Sequence, residues 1–317
     1  MSDSVKQGTK ISQNLKKAFK QGAFHPFKLI IQALLFIYAL SMVLLLVWAF
    51  FTSLKTRSEF YVDSVGLPNG AIWEWQWGNY LTAFQNFEAK VTFLQGDLIG
   101  QTLPINMTGL IVYSLEYAVG CAFVGTFFKC VTAYVVSKFD LRLNKIIYGT
   151  VIVTMMIPIV GSAASELTLM QRLGLYDTMF GAWLQKSTFL GLYFLVFFDS
   201  FRALPKDYTE AATLDGAGEF TIFFKIMFPL VKTTFIMVFL LLFIEYWNDY
   251  QTPLLFMPTH PTLMFAIQQL SGSGKEVLST TPMRMACCVI VVIPLTILFV
   301  AFSDKIMGNL TVGGVKG

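Results

Sequence analysis

Charge is scarce in this sequence. Asp, Glu, Lys and Arg make up 13% of its 317 residues, about half the share of a soluble domain, which argues against a water-facing globule. Histidine is nearly missing, with His25 and His260 the two present, so few groups can move protons near neutral pH. The four cysteines, Cys121, Cys130, Cys287 and Cys288, lie in apolar stretches, form no CxxC pair and have no histidine nearby. They read as small buried hydrophobes rather than as zinc or redox ligands. No GxSxG elbow, paired histidine–carboxylate motif or metal cluster is present. "GSGK", Gly272 to Lys275, hints at a phosphate loop, but Gln269 and Glu276 stand where a Walker A sequence needs glycine and Ser or Thr. We therefore expect no catalytic residue, no metal, no cofactor and no nucleic-acid partner.

What the chain has is apolar length: 55% hydrophobic residues and a mean hydropathy of +0.63. A bilayer core takes about 20 apolar helical residues, and Leu29 to Phe51 supplies them without a charge. Further spans are predicted over Ile105–Val136, Ile146–Ser165, Gly181–Phe201, Leu230–Tyr250 and Met285–Ser303. The fourth is the weakest, because Lys186 interrupts it. The fold class expected is all-α, a polytopic membrane protein with six transmembrane helices. Its parts are a basic amphipathic tail over 1–27, a first helix and external loop over 28–104, a five-helix core over 105–303 and a short tail over 304–317.

Lysine and arginine set the orientation. Lys6, Lys10, Lys16, Lys17, Lys20 and Lys28 crowd the start against Asp3 alone, and Lys138, Arg142, Lys145, Arg202, Lys206, Lys225 and Lys232 fall in the even connections. The positive-inside rule puts both termini and these connections in the cytoplasm. In the tail, Ile11, Leu15, Ala18 and Phe19 recur at helical spacing; an interfacial helix and a disordered basic tail are equally compatible with it. Of the charges inside spans, Lys129 lies about 13 Å of helix rise from Lys138 and is expected to snorkel to the inner headgroups. Glu116 fits either the outer edge of its span or a water-filled path. Trp73, Trp75 and Trp77 read as an interfacial belt rather than a sugar-stacking surface.

One polar stretch, "LPKDYTEAATLDGAGEF" from Leu204 to Phe220, interrupts the apolar text. Asp207 and Glu210 are spaced as a capping box, a helix of about two turns is predicted over Tyr208–Asp215, and Gly216 and Gly218 permit it to end or bend. So short a helix is not stable alone in water, so it docks on its own protein or on a partner.

The run Glu210-Ala211-Ala212, with Asp215-Gly216 after it and Ile226 and Pro229 beyond, resembles the EAA signature of permease subunits of bacterial ABC importers. "MMIPIV" (Met155 to Val160), "LGLYDT", "EYWNDYQTPLLF" (Glu245 to Phe256) and the ending "GNLTVGGVKG" are similar to the carbohydrate-uptake branch, and to its maltose-type second permease. Phe228 and Thr233–Thr234 depart from that pattern where leucine and a second proline are usual. The resemblance covers roughly Thr102 to the C-terminus and implies the type I importer fold. It implies that the loop 202–229 is a cytoplasmic coupling element contacting an ATPase through Glu210, Ala211, Ala212, Asp215, Gly216, Ile226 and Pro229. It further implies a second homologous permease, two ATP-binding cassette subunits that supply the hydrolysis, and an extracytoplasmic sugar-binding protein facing the loop with Pro258, His260, Gln268 and Gln269. The chain would be a permease and not an enzyme, resident in the bacterial plasma membrane. Glu116, Trp247, Asn248 and Asp249 are candidates for the translocation path. The alternative function is an ion- or proton-coupled secondary transporter without an ATPase.

Overall fold

A computed structural model describes residues 26–93, 99–139, 142–157, 161–273 and 276–310. The basic tail and Lys275 lie outside these residues. The chain divides into two compact units, Met1–Gln76 and Trp77–Gly317.

The first unit is built on α1 (Pro26–Ser53), with a short α2 (Arg57–Val62) after it. Leucine, isoleucine, valine and phenylalanine cover every side of α1, and the apolar window of Lys28–Ser53 has none of its residues buried. A helix that is apolar all round and unburied has hydrocarbon as its solvent. Thr56 and Glu59 form the capping box that starts α2. Trp75 packs edge-on against Phe51, and Trp73 is 82% exposed.

The second unit is centred on α4 (Met107–Lys138), a helix of 32 residues that rises about 48 Å. Asn106 caps its start by accepting from the Gly109 N–H. Small residues Ala118, Cys121, Ala122, Gly125, Thr126, Cys130 and Ala133 are buried along it, which lets neighbouring backbones come close. A Cβ on Gly120 would stand 2.1 Å from the Trp183 indole, and one on Gly125 would stand 3.2 Å from the Lys186 carbonyl. Three of the four cysteines are fully buried, as their apolar surroundings predicted.

Around α4 lie α7 (Met179–Lys186), α8 (Leu192–Arg202) and α10 (Glu219–Trp247). The remaining elements are α3 (Gly78–Asn86), α5 (Asn144–Met156), α6 (Ala163–Arg172), α9 (Asp207–Leu214), α11 (Gln251–Phe256), α12 (Leu263–Ser273) and α13 (Thr281–Leu310). Among the described residues the exception to helix is one antiparallel hairpin, β1 (Glu88–Thr92) with β2 (Thr102–Asn106), in which Lys90 faces Pro104.

Among the described residues, four helices are long and apolar enough to cross a membrane. The segments expected as third and fourth spans are discontinuous instead. α5 has 13 residues and stops at Met156, because Ile157 precedes Pro158 and adopts extended backbone. The fourth is split at 187–191 between α7 and α8, where Gly191 has φ 108°. At 11 residues, α8 rises about 17 Å of a core about 30 Å thick. α10 by contrast runs unbroken from the polar connection into the fifth span. Its six residues Ile222–Met227 form a π-helix, with Phe228 between them and Pro229. Proline offers no N–H and crowds the carbonyl four residues back. The wider turn, with the Phe228 N–H on the Phe223 carbonyl, lets the helix pass that point without a break.

The expected snorkelling of Lys129 does not occur. The residue is 4% exposed, and its ammonium donates to the Thr188 carbonyl at 3.0 Å. Thr188 lies in the break between α7 and α8, where a backbone carbonyl is free to take a side-chain donor. The lysine is held by the gap beside it.

Candidate coupling surface and polar cluster

α9 begins one residue earlier than the sequence indicated. Asp207 is its first helical residue rather than its cap, and the position before it, Lys206, makes no side-chain cap. The capping box expected between Asp207 and Glu210 is therefore absent. Both acids remain in the first turn, where the helix dipole favours negative charge, and the Thr209 hydroxyl donates to the Lys206 carbonyl at 2.7 Å.

The other end is locked. Gly216 has φ +81°, its N–H donates to the Thr213 carbonyl at 3.0 Å, and the Ala217 N–H donates to the Ala212 carbonyl at 2.9 Å. These two bonds make a complete Schellman motif, which needs the left-handed residue that glycine supplies without strain. The two alanines then part company: Ala212 is buried, while Ala211 is exposed beside Glu210 and Asp215. Leu214 is 89% and Phe220 84% exposed, so the helix presents apolar and acidic groups together. A cleft of about 460 Å³ opens beside it, lined among others by Tyr134, Lys138, Glu210, Thr213 and Leu214. The Lys138 ammonium donates to the Leu204 carbonyl at 2.7 Å, tying the start of this connection to the end of α4. Ile226 packs half-buried against the core, and Pro229 is exposed at the start of the α-helical part of α10.

The four residues expected on a translocation path do not come together. Glu116 is exposed on α4, and Trp247 is buried against Phe243 with an indole N–H that meets no acceptor. Asn248 is exposed and donates to the Ile244 carbonyl. Asp249 alone is drawn into a polar cluster. Its Oδ2 accepts from the Tyr117 hydroxyl at 2.7 Å and the Thr252 hydroxyl at 2.6 Å, and lies 3.5 Å from the Lys186 ammonium. Lys186 also donates to Thr252 Oγ1 at 3.0 Å and sits over the Tyr246 ring. This cluster joins α4, α7, α10 and α11. The sequence carried a signal for it in the pair of opposite charges inside apolar segments, Lys186 and Asp249, but Lys186 read as an interruption.

A second knot closes the loop after α11. Asp177, at φ 61°, accepts from the Thr259 N–H and hydroxyl at 3.0 and 2.9 Å, and His260 Nδ1 lies 3.5 Å away. Burial works against ionisation of Asp177, yet the hydrogen bonds from His260 and Thr259 outweigh it and hold the carboxyl below its ordinary range. Gln269, expected among the groups facing a binding protein, is engaged internally. Its amide accepts from the Lys90 N–H at 3.0 Å and donates to the Lys90 carbonyl at 2.9 Å, fastening α12 to β1.

Residues 99–306 match the family of binding-protein-dependent transport system inner membrane components. The diacetylchitobiose uptake system permease protein of Streptomyces coelicolor is 24% identical, over 90% of this chain and 88% of its own length. The trehalose transport system permease protein of Mycobacterium tuberculosis is 28% identical, over 88% of this chain and 93% of its own. A chain from the crystal structure of a bacterial ABC transporter involved in the import of the acidic polysaccharide alginate superposes with a TM-score of 0.70 at 19% identity, covering 88% of this chain and 95% of that one. A multi-pass helical chain with these matches belongs to the binding-protein-dependent transport system inner membrane components, the permease subunits of ABC importers.

Proposed function

We propose that this permease carries a carbohydrate and that α9 is the element through which an ATPase subunit drives it. The relatives named above include uptake systems for a chitin disaccharide and for trehalose, which supports a sugar or oligosaccharide as cargo. The observation that carries the coupling role is the form of α9. It is a two-turn helix anchored inward by Ala212 and fixed at its end by Gly216, with Glu210, Ala211, Leu214 and Asp215 facing away from the core. A rigid rod that transmits displacement needs both a hold on its own protein and a free face for the driver.

In this reading both termini and the 202–229 connection are cytoplasmic, as the lysine and arginine placement favours. The working importer then holds a second homologous permease, two ATP-binding cassette subunits and an external sugar-binding protein. ATP binding closes the cassette pair, α9 moves with it, and α10 carries the displacement into the membrane, so that the spans alternate between inward and outward access. Hydrolysis belongs to the cassettes and none of the chemistry to this chain. Ile226, half-buried against the core, keeps α10 seated as it moves, and Pro229 stands at the start of the span that it enters. The test is an Ala211→Cys variant, cross-linked in native membranes: capture of an ATP-hydrolysing subunit is expected. Capture of none, at normal expression, would remove the coupling role.

A further inference from the structure

Between Lys55 and Gln76 the chain leaves the end of α1 and returns to it. The Gln76 N–H donates to the Leu54 carbonyl at 3.0 Å, closing the excursion at its base. Its middle, however, bonds further along the helix: the Trp48 indole N–H donates to the Ser64 carbonyl at 2.8 Å. Trp48 lies six residues before Leu54, about 9 Å of rise back toward Lys28. Counted from Leu29, a hydrocarbon core of about 20 helical residues ends at Trp48, the level at which tryptophans form interfacial belts. The loop therefore folds back to the edge of the hydrocarbon.

What it shows there is apolar. Tyr61 is 73% exposed, Val62 90%, Val65 78% and Leu67 62%. Several of its polar groups bond within the loop: Asp63 Oδ1 accepts from the Val65 and Gly66 N–H groups at 3.0 and 2.8 Å, and the Lys55 ammonium donates to the Asp63 carbonyl at 2.8 Å. Along α1 the neighbouring Leu44, Leu45 and Leu46 are exposed too, so the loop extends a surface already suited to lipid. We propose that residues 61–67 form a hook inserted into the lipid interface on the bilayer face opposite Lys28, fixing the depth of α1. The partner is the headgroup and upper acyl region of the membrane.

The test places an environment-sensitive fluorophore on Val65→Cys, and separately on Val62→Cys, in the complete importer in liposomes, with the half-buried Cys288 changed to alanine. Lipids brominated near the glycerol are expected to quench at least about twofold more than lipids brominated at the chain ends, and aqueous iodide is expected to quench little. Full quenching by iodide at both positions would place the loop in water. Resistance to every quencher would place it under another protein subunit, such as a second permease, and either result overturns the proposal.

Discussion

Gly216 allows a prediction in which two effects separate. A Cβ built at this position meets nothing within 4 Å, and the backbone is at φ +81°. In the chain alone, any side chain therefore costs only its left-handed strain, about 1–2 kcal/mol, and the size of the side chain is irrelevant. Gly216→Ala and Gly216→Leu should lower the thermal stability of the isolated subunit equally, and Gly216→Asn by less, because asparagine tolerates this region. In the assembled importer the two must diverge if a cassette subunit closes over α9. Alanine then keeps the strain cost alone, whereas leucine adds a steric cost of about 1–3 kcal/mol for overpacking. At about 1.4 kcal/mol per factor of ten, leucine should weaken cassette association roughly tenfold more than alanine. The assays are thermal unfolding of the purified subunit, and sugar uptake with ATP hydrolysis in liposomes of the complex. Equal behaviour of alanine and leucine in the complex would refute the reasoning, because the space beside Gly216 would then stay open in the working machine.

Three further outcomes follow from the geometry. Asp249→Asn removes the charge shared by Lys186, Tyr117 and Thr252 and should cost about 2 kcal/mol; adding Lys186→Met should recover part of the loss, since the unpaired cation goes with it, as a double-mutant thermal cycle would read. Because the Asp177 carboxyl is held below its ordinary range, its stabilising contribution is full above the unfolded value of about 3.9 and is lost as pH falls through the folded value. Wild type should therefore lose more unfolding temperature between about pH 5 and pH 3 than Asp177→Asn does, and equal losses would count against the knot. Lys129→Met keeps the buried stem but leaves the Thr188 carbonyl without its donor, so a destabilisation of about 1–3 kcal/mol is expected; an unchanged melting curve would mean that the carbonyl has another partner.

The long apolar helices α1, α4, α10 and α13 were legible because uniform hydrophobicity over 20 residues has one physical solution. The coupling stretch was legible as a short helix ending at Gly216, since positive φ is written in the glycine itself. Its start was not, because a cap is decided by whether the residue before the first turn is extended, and Lys206 is helical at φ −66°. The fate of Lys129 was out of reach for a different reason. Its partner, Thr188, is a backbone carbonyl that is exposed by a break in another element, and backbone groups look the same in every sequence. Lys186 and Asp249 are 63 residues apart, and only the packing of α7 and α10 on α4 brings them together. The translocation candidates were read from position alone, and nearness to a span end does not say which way a side chain faces.

The π-helix before Pro229 has a mechanical consequence. The Phe228 N–H reaches back five residues to the Phe223 carbonyl, one more than the four of an α-helix. One residue of an α-helix turns its successor by about 100°, so that fifth residue sets the azimuth at which everything before it, α9 included, is mounted on the span. Deleting a single residue among 223–226 would leave composition and hydropathy almost untouched, yet swing α9 roughly a quarter-turn about the axis of α10.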